Sequence, residues 1–225
     1  MVKRVQKADA AHTGTSSADK KADILIAIGA TGSGKSTRIK GDIERRGLRR
    51  VLVWDAMHEY DKIPACKTLG VLRDTALSKS EFTLRFLPSF DNKVKVRQFD
   101  AFCRIGLAAR RVALLCEELS QVVDANGGGP GWTQALTAGR HRDLILYGTS
   151  QRPALIDKTA LSQATRLYCG NLELPADMKV MAQMLTVTTE ELQALAPWDY
   201  IERHRESKQI FRGNLAQGAP VGGHP

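Results

Sequence analysis

Cysteine is scarce in this chain of 225 residues, and Cys66, Cys103, Cys116 and Cys169 form no Cys-x-x-Cys pair. That spacing excludes a zinc ribbon, a thioredoxin-like redox motif and a disulfide scaffold, and leaves reduced, mostly buried thiols as the expectation. The five histidines are equally dispersed, with no HExxH or comparable spacing, so no zinc site is expected. No stretch approaches the roughly 18 apolar residues of a membrane span. The basic N-terminus also lacks the apolar run of a signal peptide. A soluble, intracellular protein is expected. Acidic side chains are the minority, 24 against 33 basic, and the formal charge of +9 favours a polyanionic partner, with nucleic acid the first candidate.

What is present suffices for one core of ordinary size. Residues 1–22, rich in Lys, Ala, Ser, Thr and Asp, show no useful periodicity and read as a flexible basic arm. Residues 213–225 carry dense Gly and Pro and read as a flexible tail. The domain between them, residues 23–212, alternates short apolar runs with amphipathic stretches. This is the pattern of an α/β fold with a mainly parallel sheet flanked by helices.

Expected strands are Ile24–Ile28, Arg50–Trp54, Phe82–Leu87, Val112–Cys116, Leu144–Thr149 and Arg166–Cys169. Expected helices are Lys35–Arg46, Val94–Arg110, a short one after Glu118, one ending near Arg140, Lys158–Gln163 and Ala176–Leu185. A Gly-rich loop, Asn126–Gly131, separates the two helices that follow Glu118. Tyr200–His204 and Gln209–Arg212 suggest a closing hairpin.

Three constellations carry chemistry. Gly29-Ala30-Thr31-Gly32-Ser33-Gly34-Lys35-Ser36 matches G-x-x-x-x-G-K-[ST] between a buried strand and a helix, where backbone amides and the helix N-terminus can hold phosphates. In it Lys35 neutralises the β and γ phosphates of ATP, Ser36 places its hydroxyl on the Mg2+ that the nucleotide brings, and Thr37 adds a contact near the α phosphate. The second is Val112-Ala113-Leu114-Leu115-Cys116-Glu117-Glu118, an apolar strand ending in two carboxylates. Glu117 would hold the metal through water, and Glu118 would act as general base. The third, Leu144 to Thr149 followed by Ser150-Gln151-Arg152-Pro153, offers Gln151 as a sensor of the γ-phosphate and the attacking water; alone, those four residues read equally well as a turn.

Taken in order, GATGSGKST, the segment Asp55-Ala56-Met57-His58-Glu59-Tyr60, LLCEE and GRHRDLILYGTSQRP resemble the motifs of the FtsK/HerA superfamily of DNA-pumping ATPases. The resemblance covers roughly residues 22–185. Glu117 stands where that family usually has Asp, and Ser150 where it has Thr. It implies a RecA-like P-loop core in a homo-oligomeric ring, pentamer or hexamer, with ATP between subunits and DNA in the centre. It also implies an arginine finger, Arg140 by alignment, with Arg142 the close alternative.

With no membrane span or N-terminal barrel legible, the chain is most similar to the genome-packaging ATPases of tailless, membrane-containing icosahedral viruses. The expected activity is then ATP-driven translocation of double-stranded DNA into a preformed capsid, in the host cytoplasm or on the virion, with a capsid vertex or portal-like protein as a further partner. The alternatives are a conjugation or filamentous-phage export ATPase, a non-translocating assembly switch, and a small-molecule kinase. For DNA contact the candidates are the arm (Lys3, Arg4, Lys7, Lys20, Lys21) and the Asn126–Gly131 loop.

Overall fold

The computed structural model describes residues 21–217. The basic arm up to residue 20, with its candidate DNA contacts Lys3, Arg4, Lys7 and Lys20, and the stretch from 218 onward lie outside the described residues. The elements run β1 (Asp23–Ile28), α1 (Lys35–Arg45), β2 (Arg50–Trp54), β3 (Ala65–Cys66), α2 (Leu69–Ser78), β4 (Phe82–Phe86), α3 (Asn92–Ala109) and β5 (Ala113–Cys116). They continue with α4 (Gly129–Ala138), β6 (Ile145–Ser150), α5 (Lys158–Gln163), β7 (Arg166–Cys169), α6 (Pro175–Leu185), α7 (Thr189–Gln193), β8 (Asp199–His204) and β9 (Ile210–Asn214).

These strands form one sheet in the order β3-β4-β2-β5-β6-β1-β7-β8-β9. Pairing is parallel from β3 through β7, and β8 and β9 close the edge as an antiparallel hairpin. The expected α/β architecture with its C-terminal hairpin is therefore what the chain adopts. Side chains alternate across each strand, so a sheet covered on both faces needs apolar residues at nearly every position. In β1, Ile24, Ile26 and Ile28 enter one core and Leu25 and Ala27 the other. The first core holds residues of α2 through α7, including Leu72, Phe99, Trp132, Ala160, Met181 and Leu192; the second holds Ile39 of α1.

Three elements escaped the sequence reading. The two-residue strand β3 is too short to show a period. Helix α2 carries only a weak apolar stripe and is started by Thr68, whose side chain accepts from Val71 N at 3.2 Å. Helix α7 opens with a capping box between Thr188 and Glu191, a signal that was legible.

Several limits shift by one or two residues, and two of the differences have a structural reason. The Gly-rich segment is not loop throughout: Gly129–Gly131 form the first turn of α4, with Pro130 in that turn. Gly131 N donates to Asp100 Oδ1 at 2.6 Å, and a Cβ on Gly131 would come within 2.5 Å of Asp100 O, so glycine is what lets α4 rest on α3. At the other end β9 continues through Gly213 and Asn214, and Leu215 packs on the second core. Asn214 Nδ2 donates to Asp199 Oδ1 at 2.7 Å, which ties that end to β8.

Helix α1 is anchored by charge. Asp42 is fully buried and accepts from Arg166 Nη1 at 2.9 Å and Tyr147 Oη at 2.8 Å. Burial works against its charge, but Arg166 and Tyr147 hold the carboxyl well below the ordinary range. Arg38 of the same helix donates to both oxygens of Glu202 on β8, at 2.6 and 2.8 Å. Burial opposes that carboxylate too, yet His204 and Arg38 bring its pKa down to about 2. The helix that begins at Lys35 is thus fixed to β6, β7 and β8.

Candidate nucleotide site

The parallel strands end level with one another. Ile28 pairs with Ser150, and Cys116 pairs with Gly148, so the residues after β1, β5 and β6 emerge side by side at the C-terminal edge of the sheet. Ligands of open α/β sheets bind at that edge. A cavity of about 200 Å³ opens there, lined by Thr31 to Thr37 together with Met57, Glu59, Glu117, Glu118, Thr149, Gln151 and Trp198.

Residues 29–34 wrap the end of α1. Gly34 precedes the helix at φ 86°, and a Cβ there would meet Leu215 Cδ1 at 2.4 Å, so only glycine fits. The Gly34 cap offers no side-chain hydrogen bond to the first turn, which leaves amide groups of α1 for an anion. Lys35 Nζ donates to the carbonyls of Gly29 and Ala30, each at 2.8 Å. Burial pushes its ammonium below the ordinary value, against the pull of Glu118, Glu59 and Glu117. Ser33 Oγ is buried without a partner, and Tyr168 Oη donates to Ser33 O at 2.8 Å.

The two carboxylates at the end of β5 part company. Glu117 accepts from Met57 N at 3.1 Å. Burial pushes its pKa well above the ordinary carboxylate range, partly offset by the Met57 amide and reinforced by Glu59 and Asp55 beside it. Glu118 sits at φ 47°, a left-handed turn that swings its side chain toward β6. Its Oε1 accepts from Ser120 Oγ at 2.5 Å and from Ser150 Oγ and Gln151 N, each at 3.2 Å, while Glu118 N donates to Thr149 Oγ1 at 3.0 Å. Gln151 reaches across to the phosphate loop, where its Oε1 accepts from Thr31 Oγ1 at 3.3 Å. Strand β6, which ends just before Gln151, lies directly beside β1, between it and β5.

Glu59 is a pocket residue to which sequence reasoning gave no role. Its Oε2 accepts from Ser36 Oγ at 3.0 Å. Fully buried Asp55 shapes the turn that delivers it, accepting from Glu59 N at 2.9 Å, Tyr60 N at 3.3 Å and Arg85 Nη1 at 2.7 Å. The Asp-x-x-x-Glu spacing directly after β2 was the available signal. Trp198 was missed as well.

Arg140 and Arg142 are not brought to this pocket. Both are exposed in the turn Gly139–Arg142 before β6, at the opposite edge of the sheet. Six residues of strand separate the two edges, about 20 Å at the usual rise. Arg152 is occupied by buried Asp177 of α6, at 3.0 Å.

No protein-family model matches the chain. Protein P9 of Pseudoalteromonas phage PM2 is 31% identical over 179 residues, which cover 76% of this chain and 78% of P9. The structure of the genome packaging NTPase B204 from Sulfolobus turreted icosahedral virus 2 in complex with AMPPCP superposes with a TM-score of 0.72 at 17% identity, over 86% of this chain and 97% of B204. The unbound bacterial conjugative coupling protein TrwBdeltaN70 superposes with a TM-score of 0.61 at 12% identity, over 85% of this chain and 84% of that protein. At such identities the two structures show a common fold. With its phosphate loop, paired carboxylates and RecA-like sheet, the chain is a P-loop NTPase and belongs to the family of Protein P9 of Pseudoalteromonas phage PM2.

Proposed function

We propose that the chain hydrolyses ATP to drive double-stranded DNA into a preformed viral capsid, working in the host cytoplasm as a homo-oligomeric ring. The observation that carries the hydrolytic step is the Glu118 carboxylate, fixed by Ser120, Ser150 and the Gln151 amide beside the phosphate loop. Glu118 takes a proton from the attacking water, the water oxygen bonds to the γ-phosphorus, and the bond to the β–γ bridging oxygen breaks, giving ADP and phosphate. Gln151 orients the water, and Lys35 leaves its loop carbonyls to neutralise the β and γ phosphates. A switch that only binds ATP has no use for such a base, and a kinase needs neither the consecutive Glu117-Glu118 pair nor a Gln151 that orients water.

The donor chemistry fits magnesium. The Ser36 hydroxyl and the Glu117 and Glu59 carboxyls are hard oxygen donors lining one pocket. Magnesium bound there supplies charge neutralisation of the phosphates.

The packaging reading is supported by the family, whose named relative is a phage protein, and by the fold shared with a genome packaging NTPase. The charge of +9 suits DNA. Among the described residues, no helix is long and apolar enough to cross a membrane. ATPase rates measured with and without linear duplex DNA test this reading directly. A rise of several-fold with DNA, suppressed at high salt, is expected; a rate indifferent to DNA overturns translocation and favours the assembly switch.

Arg140, with Arg142 as the alternative, is proposed as a finger acting on the ATP of the neighbouring subunit. Its exposure and its distance from its own pocket suit an action in trans, where such a residue is worth about 10³ to 10⁵ in rate. Arg140→Ala subunits should bind ATP and be inactive alone, then regain turnover when mixed with Lys35→Ala subunits. Full activity of Arg140→Ala by itself passes the role to Arg142.

A further inference from the structure

Trp198 is an aromatic residue that lines the pocket. The chain has three tryptophans. Trp54 and Trp132 are 0% and 1% exposed, whereas Trp198 is 40% exposed and lines the nucleotide cavity. It also occupies left-handed backbone at φ 71°, a conformation that is costly for a bulky side chain and persists only where the surroundings impose it.

The imposed geometry is visible. Leu215 N donates to Trp198 O and Asp199 N to Ala196 O, both at 3.0 Å. The Asp199 carboxylate then ties the turn together, accepting from Ala196 N at 3.0 Å and from Asn214 Nδ2 at 2.7 Å. Under this turn Tyr168 and Tyr200 stack at 5.3 Å, and a Cβ placed on Gly34 would lie 3.6 Å from Trp198 Cε3. The indole is therefore held against the phosphate loop by a rigid support, with a large part of its surface left bare. Burying apolar surface is the usual use of such a residue, so a bare and strained indole points to a ligand.

Strand order says which part of the ligand. Glu117, Glu118 and Gln151 follow β5 and β6, on one side of β1; Trp198 precedes β8, on the other. Groups that act on the γ-phosphate occupy the first side, so the sugar and base leave the loop toward the second. We propose that Trp198 is the platform on which the base of the bound nucleotide stacks, which makes the substrate a nucleoside triphosphate with the purines preferred for their larger ring area. The inference rests on the nucleotide-site reading and deepens it.

The test compares two probes on the full chain: ATP, which has a base, and inorganic tripolyphosphate, which has none. Stacking on an aromatic side chain is worth enough that ATP should bind about ten- to a hundred-fold more weakly to Trp198→Ala. Tripolyphosphate should bind Trp198→Ala and the wild type alike. Trp198→Phe, which keeps a ring face, should recover most of the ATP affinity, and the change in tryptophan emission on adding ATP should vanish in that variant. Unchanged ATP affinity in Trp198→Ala overturns the proposal. An equal loss for both probes also overturns it, because the side chain then only supports the loop. Wild-type protein that binds neither probe overturns the nucleotide-site reading, and the platform with it.

Discussion

ATP binding falls by about 30- to several-thousand-fold in Lys35→Ala, and turnover falls to background. Removing one partner of a partly desolvated charge pair costs about 2–5 kcal/mol, which converts to that range. The ammonium that offsets the β and γ phosphates is gone, and this outweighs the loss of its bonds to the Gly29 and Ala30 carbonyls, which ATP binding breaks in any case. The remaining carboxylates, Glu59, Glu117 and Glu118, then face the triphosphate with no lysine between. Equilibrium binding of a fluorescent ATP analogue, with thermal melting as a fold control, checks this. Wild-type affinity in a folded Lys35→Ala protein sinks the site.

Glu118→Gln should separate binding from chemistry. Its amide oxygen still accepts from Ser120, Ser150 and Gln151 N, so the position at the end of β5 is retained. An amide takes no proton from water, and loss of a general base costs about 10² to 10⁴ in rate. ATP affinity should stay within a few-fold of wild type while phosphate release falls by that factor. Glu117→Gln should show the opposite pattern, weakened magnesium-dependent binding. If Glu117→Gln is harmless and Glu118→Gln loses ATP, the two roles are exchanged.

Most of the sheet was legible because buried parallel strands are short apolar runs with sharp ends. Arg50–Trp54 and Arg166–Cys169 match their expected limits, as does the helix Lys158–Gln163. Elements that depend on a neighbour were not legible. Helix α2 is held by packing on α3 rather than by a strong stripe of its own, and Gly129–Gly131 read as loop because the reason for those glycines is the close approach of Asp100 from α3.

The sequence by itself determined that the phosphate loop, the paired carboxylates and Gln151 stand at strand ends, since each is a polar group at the end of an apolar run and local order places it there. Tertiary structure alone decided which partners each carboxylate meets. Glu117 and Glu118 are neighbours in the chain, and the roles assigned to them from the sequence carried no account of what would hold either side chain. Only the placing of β6 between β1 and β5 draws Glu118 onto Ser150 and Gln151, and only the Asp55 turn of β2 draws Met57 N onto Glu117. Trp198 reaches the pocket from 164 positions beyond Gly34 because β8 runs antiparallel to β7 and starts at the phosphate edge. Such convergence follows strand order, which is set by long-range pairing that no local pattern encodes.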